Sequence, residues 1–108
     1  MKGDFRHMWI IVFFDLPVKK PTQRKAATKF RNFLLNDGYI MLQYSVYSRV
    51  CKGNEAVKKH IKRAQDSLPT EGSIRALQVT DKQYTRMRIL LGNPTAEEQT
   101  GGEQLLFF

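Results

Sequence analysis

The stretch that decides the fold is Met8-Trp9-Ile10-Ile11-Val12-Phe13-Phe14-Asp15, seven apolar residues in an unbroken run closed by a carboxylate. A continuous β-branched and aromatic run of this length reads as a strand buried on both faces, hence a central strand of a sheet. Beyond it, Pro17 and Pro21 bracket a turn. Ala26, Phe30, Phe33, Leu34 and Asp37 then recur at helical spacing, with Arg24, Lys25, Lys29, Arg31 and Asn32 on the other side. Asp37-Gly38 supplies a stop, Gly38 suiting the left-handed position after a helix, so the first helix is expected over about 21–36.

Residues 39–43 and 44–50 read as strand material. No tight-turn dipeptide separates them, so a bend or bulge near 43–45 is expected rather than a sharp hairpin. Gly53-Asn54 offers an N-cap, and Val57, His60, Ile61, Ala64 and Leu68 form the apolar stripe of a second helix ending before Pro69. Ser73 to Thr80 alternates as a strand with one face buried, and Arg88 to Gly92 reads as a shorter extra strand. The order βαββαβ plus a short strand specifies an α+β, ferredoxin-like sandwich, two helices covering one face of an antiparallel sheet and the other face left for a partner. That domain is expected over residues 1–92. The polar stretch 93–104 reads as a linker, and Leu105, Leu106, Phe107 and Phe108 as a docking strand added to a sheet edge, exchanged in a homodimer or packed on its own domain.

The formal charge of +8 is unevenly spread: residues 1–63 carry 14 Lys+Arg against 4 Asp+Glu, and residues 64–108 carry 4 against 6. Such asymmetry favours a basic surface turned toward nucleic acid. Arg24, Lys25, Lys29, Arg31, Arg49, Lys52, Lys58 and Lys59 are the candidate phosphate contacts, with a solvated helix face as the plain alternative. A single cysteine, Cys51, excludes an internal disulfide or a zinc knuckle. No apolar run approaches the roughly 20 residues of a membrane helix, and the charged start of the chain lacks the pattern of a secretory signal, so a cytoplasmic protein without membrane contact is expected.

Asp15 is the candidate catalytic and metal-binding residue. Its carboxylate emerges at a strand end, and in a symmetric dimer one such carboxylate per chain makes a facing pair. Two carboxylates with phosphate oxygens and water suit one shared Mg²⁺ at the dimer interface. The alternative is an Asx-type turn before Pro17. Tyr44, Ser45 and Tyr47 are secondary candidates, for phosphate or base contact or simply for packing. His60, on an apolar stripe, reads as a satisfied, half-buried side chain rather than a general base.

Phe14-Asp15-Leu16-Pro17 at the end of the first strand, a basic helix, and Gln43-Tyr44-Ser45-Val46-Tyr47 together resemble the small CRISPR-associated endoribonuclease family, the smaller subunit of the spacer-acquisition pair. The resemblance covers about residues 8–92. It implies a ferredoxin-like homodimer, metal-dependent cleavage of RNA or DNA with Asp15 as the metal-binding residue, and a place between integrase dimers as the scaffold that binds double-stranded prespacer DNA. Competing readings are a toxin-like metal-dependent ribonuclease and a non-catalytic module for single-stranded RNA. Against the module, no RNP-type run is present.

Overall fold

The computed structural model describes residues 7–95. Seven elements follow in order: β1 (His7–Asp15), α1 (Pro21–Asn36), β2 (Ile40–Gln43), β3 (Val46–Lys52), α2 (Asn54–Gln65), β4 (Ser73–Thr80) and α3 (Asp81–Thr85). The strands form one sheet in the order β2-β3-β1-β4, every neighbouring pair antiparallel. This is the split βαβ arrangement of the ferredoxin-like sandwich, and β1 is central as its apolar run requires.

Strand periodicity separates β1 into two faces. Ile10 and Val12 point under the helices and are fully buried with Phe30, Leu34, Tyr39, Tyr47, Cys51 and Val57, while Met8 and Phe14 flank them. Trp9, Ile11 and Phe13 point to the opposite face. Along α1 the buried stripe is Ala27, Phe30 and Leu34, spaced i, i+3, i+7 on one face, with Phe33 half-buried; Ala26, expected in the stripe, stands at its margin and is only half-buried. Pro21 occupies the first turn, where its missing N–H costs nothing, and Gln23 Oε1 accepts from the Lys20 N–H at 2.9 Å. Gly38 takes φ +95°, the left-handed value expected of it. α2 stops at Gln65, so Leu68 lies beyond the stripe and is exposed.

Three local expectations are corrected. β2 and β3 are joined by only Tyr44-Ser45, a tight connection made possible by Ser45 at φ +69°, with a register shift between Met41 and Gln43 absorbing the irregularity. Residues 88–92 form no strand: Thr80 caps α3, accepting from Gln83 N–H at 3.1 Å while Gln83 Oε1 accepts from Thr80 N–H at 2.9 Å, and this turn takes the chain off the β4 line. Leu90 and Leu91 consequently stand exposed. The second sheet face is also not wholly open. Tyr84 from α3 stacks on Trp9 with ring centroids 3.7 Å apart, Trp9 Nε1 donates to Asp81 Oδ1 at 2.7 Å, and Tyr84 shares a hydrogen bond with buried Ser48. Phe13, Val50 and Leu77 remain exposed on that face.

Candidate active site

Asp15 ends β1 on the face opposite the helices, aligned with Ser73 of β4, while Phe13 aligns with Arg75. Residues two apart on a strand share a face, so Phe13, Asp15, Ser73 and Arg75 project together. The Tyr44-Ser45 connection closes the other side, held by a hydrogen bond from Phe14 N–H to Ser45 O at 3.1 Å. The result is a crevice of about 390 Å³ lined by Phe13, Phe14, Asp15, Tyr44, Ser45, Val46, Ser73 and Arg75. One carboxylate, one guanidinium, three hydroxyls and three aromatic rings thus surround a volume suited to part of a nucleotide.

The crevice floor is set by close backbone packing. Gly72 has φ +105°, and a Cβ there would lie 2.6 Å from Leu16 Cδ2 and 2.9 Å from the Asp15 carbonyl oxygen. Only glycine lets the turn into β4 pass this near to the end of β1. On the rim, the Arg31 guanidinium stacks 4.5 Å from the Tyr44 ring centroid, and Tyr44 is 72% exposed, leaving its outward face for another flat group.

The other sequence candidates are placed more variously. Tyr47 is 2% exposed on the helix face of β3, stacked on Phe14; it belongs to the core, and burial raises its phenol pKa. Arg24 is engaged with the carbonyls of Val18 and Lys19 at 3.0 and 2.9 Å, and Arg49 with those of Asp37 and Val50 at 2.6 and 2.8 Å. Arg31 is half-buried beneath Tyr44. Lys25, Lys29, Lys52, Lys58 and Lys59 are exposed. Leu105, Leu106, Phe107 and Phe108 lie outside the described residues.

Neither imidazole serves the crevice. His7 begins β1, roughly 26 Å from Asp15 at a strand's rise per residue. His60 is buried and its Nδ1 lies 2.7 Å from Asp37 Oδ2. Two features escape a reading of the sequence. Arg75 sits in the part of the chain with net negative charge, where no basic cluster marks it. The Asp37–His60–Arg63 cluster joins residues far apart in sequence, although Asp37 was legible as a helix stop.

These observations define a small α+β sandwich with a crevice at the carboxyl end of its central strand, aromatic-walled and carrying one acid and one base. The family described as "CRISPR associated protein Cas2" matches residues 8–87, and the chain belongs to that family. A "CRISPR-associated endoribonuclease Cas2" from Acidovorax ebreus is 51% identical over 92 residues, 85% of this chain and 90% of that protein. A protein of the same description from Flavobacterium psychrophilum is 42% identical over 106 residues, 98% of this chain and 92% of that one. A solved structure described as "Crystal structure of cas2" superposes with a TM-score of 0.57 at 16% identity, covering 83% of this chain and 92% of that one, which supports the fold. No helix among the described residues is long and apolar enough to cross a membrane.

Proposed function

We propose that this chain is a CRISPR adaptation subunit: a homodimer that binds double-stranded prespacer DNA as a scaffold for the integrase and retains a Mg²⁺-dependent phosphodiesterase site at Asp15. The observation that carries the catalytic part is the exposed Asp15 carboxylate on the rim of the crevice, on the sheet face where Phe13, Val50 and Leu77 are left uncovered. Relatives named endoribonucleases, 40–51% identical, support phosphodiester hydrolysis. The uncovered apolar face favours a second copy as partner.

Among the described residues, no three His, Cys, Asp or Glu side chains gather as a metal site. Among the described residues Asp15 is the one carboxylate lining the crevice, which fits Mg²⁺ as one of two in a dimer completed by phosphate oxygens and water. When bound, the ion supplies charge to polarise the scissile phosphate and favours ionisation of water. Asp15 holds the charge in place, the Ser45 and Ser73 hydroxyls offer hydrogen bonds within the crevice, and the Tyr44 ring, backed by Arg31, offers a stacking face to a base.

The test is Asp15→Asn, assayed for cleavage of RNA and DNA with Mg²⁺ and for assembly with the integrase on a prespacer-like duplex. Loss of cleavage with mass and assembly unchanged is the expected result. Wild-type cleavage by the variant removes Asp15 from catalysis, and a wild-type protein that binds neither duplex nor integrase removes the scaffold role.

A further inference from the structure

Among the described residues Arg75 is the one cationic side chain lining the Asp15 crevice, and the two charges are not paired with each other. Ion pairs among those residues involve Lys58, His60, Lys62 and Arg63; Arg75 takes part in none of them. Asp15 aligns with Ser73, which places Arg75 on the diagonal of that pair, where side-chain attachment points are roughly 7–8 Å apart. Both side chains are exposed on the same face. A carboxylate and a guanidinium that face one crevice without pairing leave room between them for a tetrahedral anion.

We propose that Arg75 is the phosphate-holding residue of this site, gripping the non-bridging oxygens of the phosphodiester that Asp15 addresses from the other side. A guanidinium presents a planar fork of donors that matches two phosphate oxygens at once, and it stays charged at any working pH. Ser73 stands beside it on β4 and Ser45 across the crevice, both able to donate to the same group. The assignment rests on the crevice being a phosphodiester site.

The experiment separates binding from cleavage. A short single-stranded RNA is titrated in Asp15→Asn protein, with and without Arg75→Ala, across 50 to 200 mM salt. Arg75→Ala is expected to weaken binding by about tenfold, and to flatten the dependence of log affinity on log salt by about 0.7 for each phosphate no longer neutralised. Affinity within twofold and an unchanged salt slope overturn the proposal. Light scattering checks the mass of each variant. Where Arg75→Ala alters it, Arg75→Lys decides: that variant is expected to keep the salt slope while losing several-fold in affinity with the fork, and wild-type affinity in it overturns the assignment. Because binding is read in protein already lacking the Asp15 charge, a failure of the nuclease reading shows separately, as cleavage that survives Asp15→Asn.

Discussion

His60 Nδ1 lies 2.7 Å from Asp37 Oδ2, and the second oxygen of the same carboxylate accepts from Arg63 Nη1 at 2.8 Å. Asp37 caps the C-terminal end of α1, where the helix dipole disfavours a negative charge, and its side chain is only 8% exposed. The two donors from α2 offset both costs and tie the helices together. Arg49 adds a hydrogen bond to the Asp37 carbonyl from β3, so one residue joins α1, α2 and the sheet. Asp37→Asn is expected to lower stability by about 1–3 kcal/mol, since a buried partner is left poorly satisfied. Chemical denaturation measures the loss, and cleavage per folded molecule should be unchanged because the cluster does not line the Asp15 crevice.

The same cluster sets two edges of the pH-stability profile. Burial alone would raise the Asp37 pKa, but the hydrogen bonds and charges of His60 and Arg63 outweigh it and hold the carboxyl below its usual 3.8. A depressed acid stabilises the fold above its unfolded pKa, so this contribution is lost as pH falls below about 4 and through the folded value. Tyr39 acts at the other edge. Burial, then the neighbouring Asp37 charge, pushes its phenol from 10.0 up to about 12. Its neutral form is the one the fold accommodates, so stability is expected to decline as pH climbs from 10.0 towards 12. Denaturant midpoints against pH check both edges, and Tyr39→Phe should flatten the alkaline one.

Gly72 offers a test of how tightly the crevice is built. Gly72→Ala places a methyl 2.9 Å from the Asp15 carbonyl and forces a residue with a Cβ into φ +105°. Backbone strain of this kind costs roughly 1–3 kcal/mol, and relief requires β1 to shift at its Asp15 end. The expected outcome is a lowered melting temperature together with cleavage reduced beyond the loss of folded protein. A variant destabilised but fully active per folded molecule would show that Asp15 tolerates movement of its own backbone.

Much of this fold is legible in the sequence because the signals are local. The apolar run 8–14 marks β1 as central and Pro21 and Asp37-Gly38 bound α1; Ser73 to Thr80 is a strand as expected, but as the edge strand β4 it buries neither face, against the one buried face expected of it. What escapes such a reading is short or long-range. α3 spans only five residues, too few for helical periodicity, and its one signal is the reciprocal capping of Thr80 and Gln83. The Tyr44-Ser45 turn lacks the Asn-Gly or Asp-Gly dipeptide that advertises a tight hairpin, since Ser45 takes the left-handed conformation without glycine. At the site, Asp15 is readable because a charge ending an apolar strand is conspicuous. Arg75 is not, since its proximity arises only from pairing of β1 with β4.

The Trp9–Tyr84 stack holds α3 against part of the second sheet face, where buried Ser48 shares a hydrogen bond with Tyr84. Tyr84→Phe keeps the ring but removes the oxygen that lies 2.9 Å from Ser48 Oγ. A buried hydroxyl deprived of that bond costs about 1–3 kcal/mol. Pairing this change with Ser48→Ala should recover part of the loss, because both polar partners are then gone. A double variant no more stable than Tyr84→Phe alone would mean that Ser48 is satisfied by other means.

The basic side chains fall into two groups by their contacts. Lys25 and Lys29 on α1, Lys52 at the end of β3, and Lys58 and Lys59 on α2 are exposed; only Lys58 has an ion-pair partner among the described residues, Glu55 at 3.8 Å, itself exposed. Reversal of Lys25, Lys29, Lys52 and Lys59 to Glu is expected to move stability little, within about 0.5 kcal/mol each, while weakening duplex DNA binding and reducing its salt slope by about 0.9 for each phosphate left without its lysine. Arg24 and Arg49 should behave oppositely, because their guanidinium groups hold carbonyl oxygens of Val18, Lys19, Asp37 and Val50. Arg49→Ala is expected to cost about 1–3 kcal/mol of stability and leave the salt slope near wild type. Duplex affinity unmoved by all four lysine reversals would take the helical surface out of DNA binding and leave the sheet face to account for it.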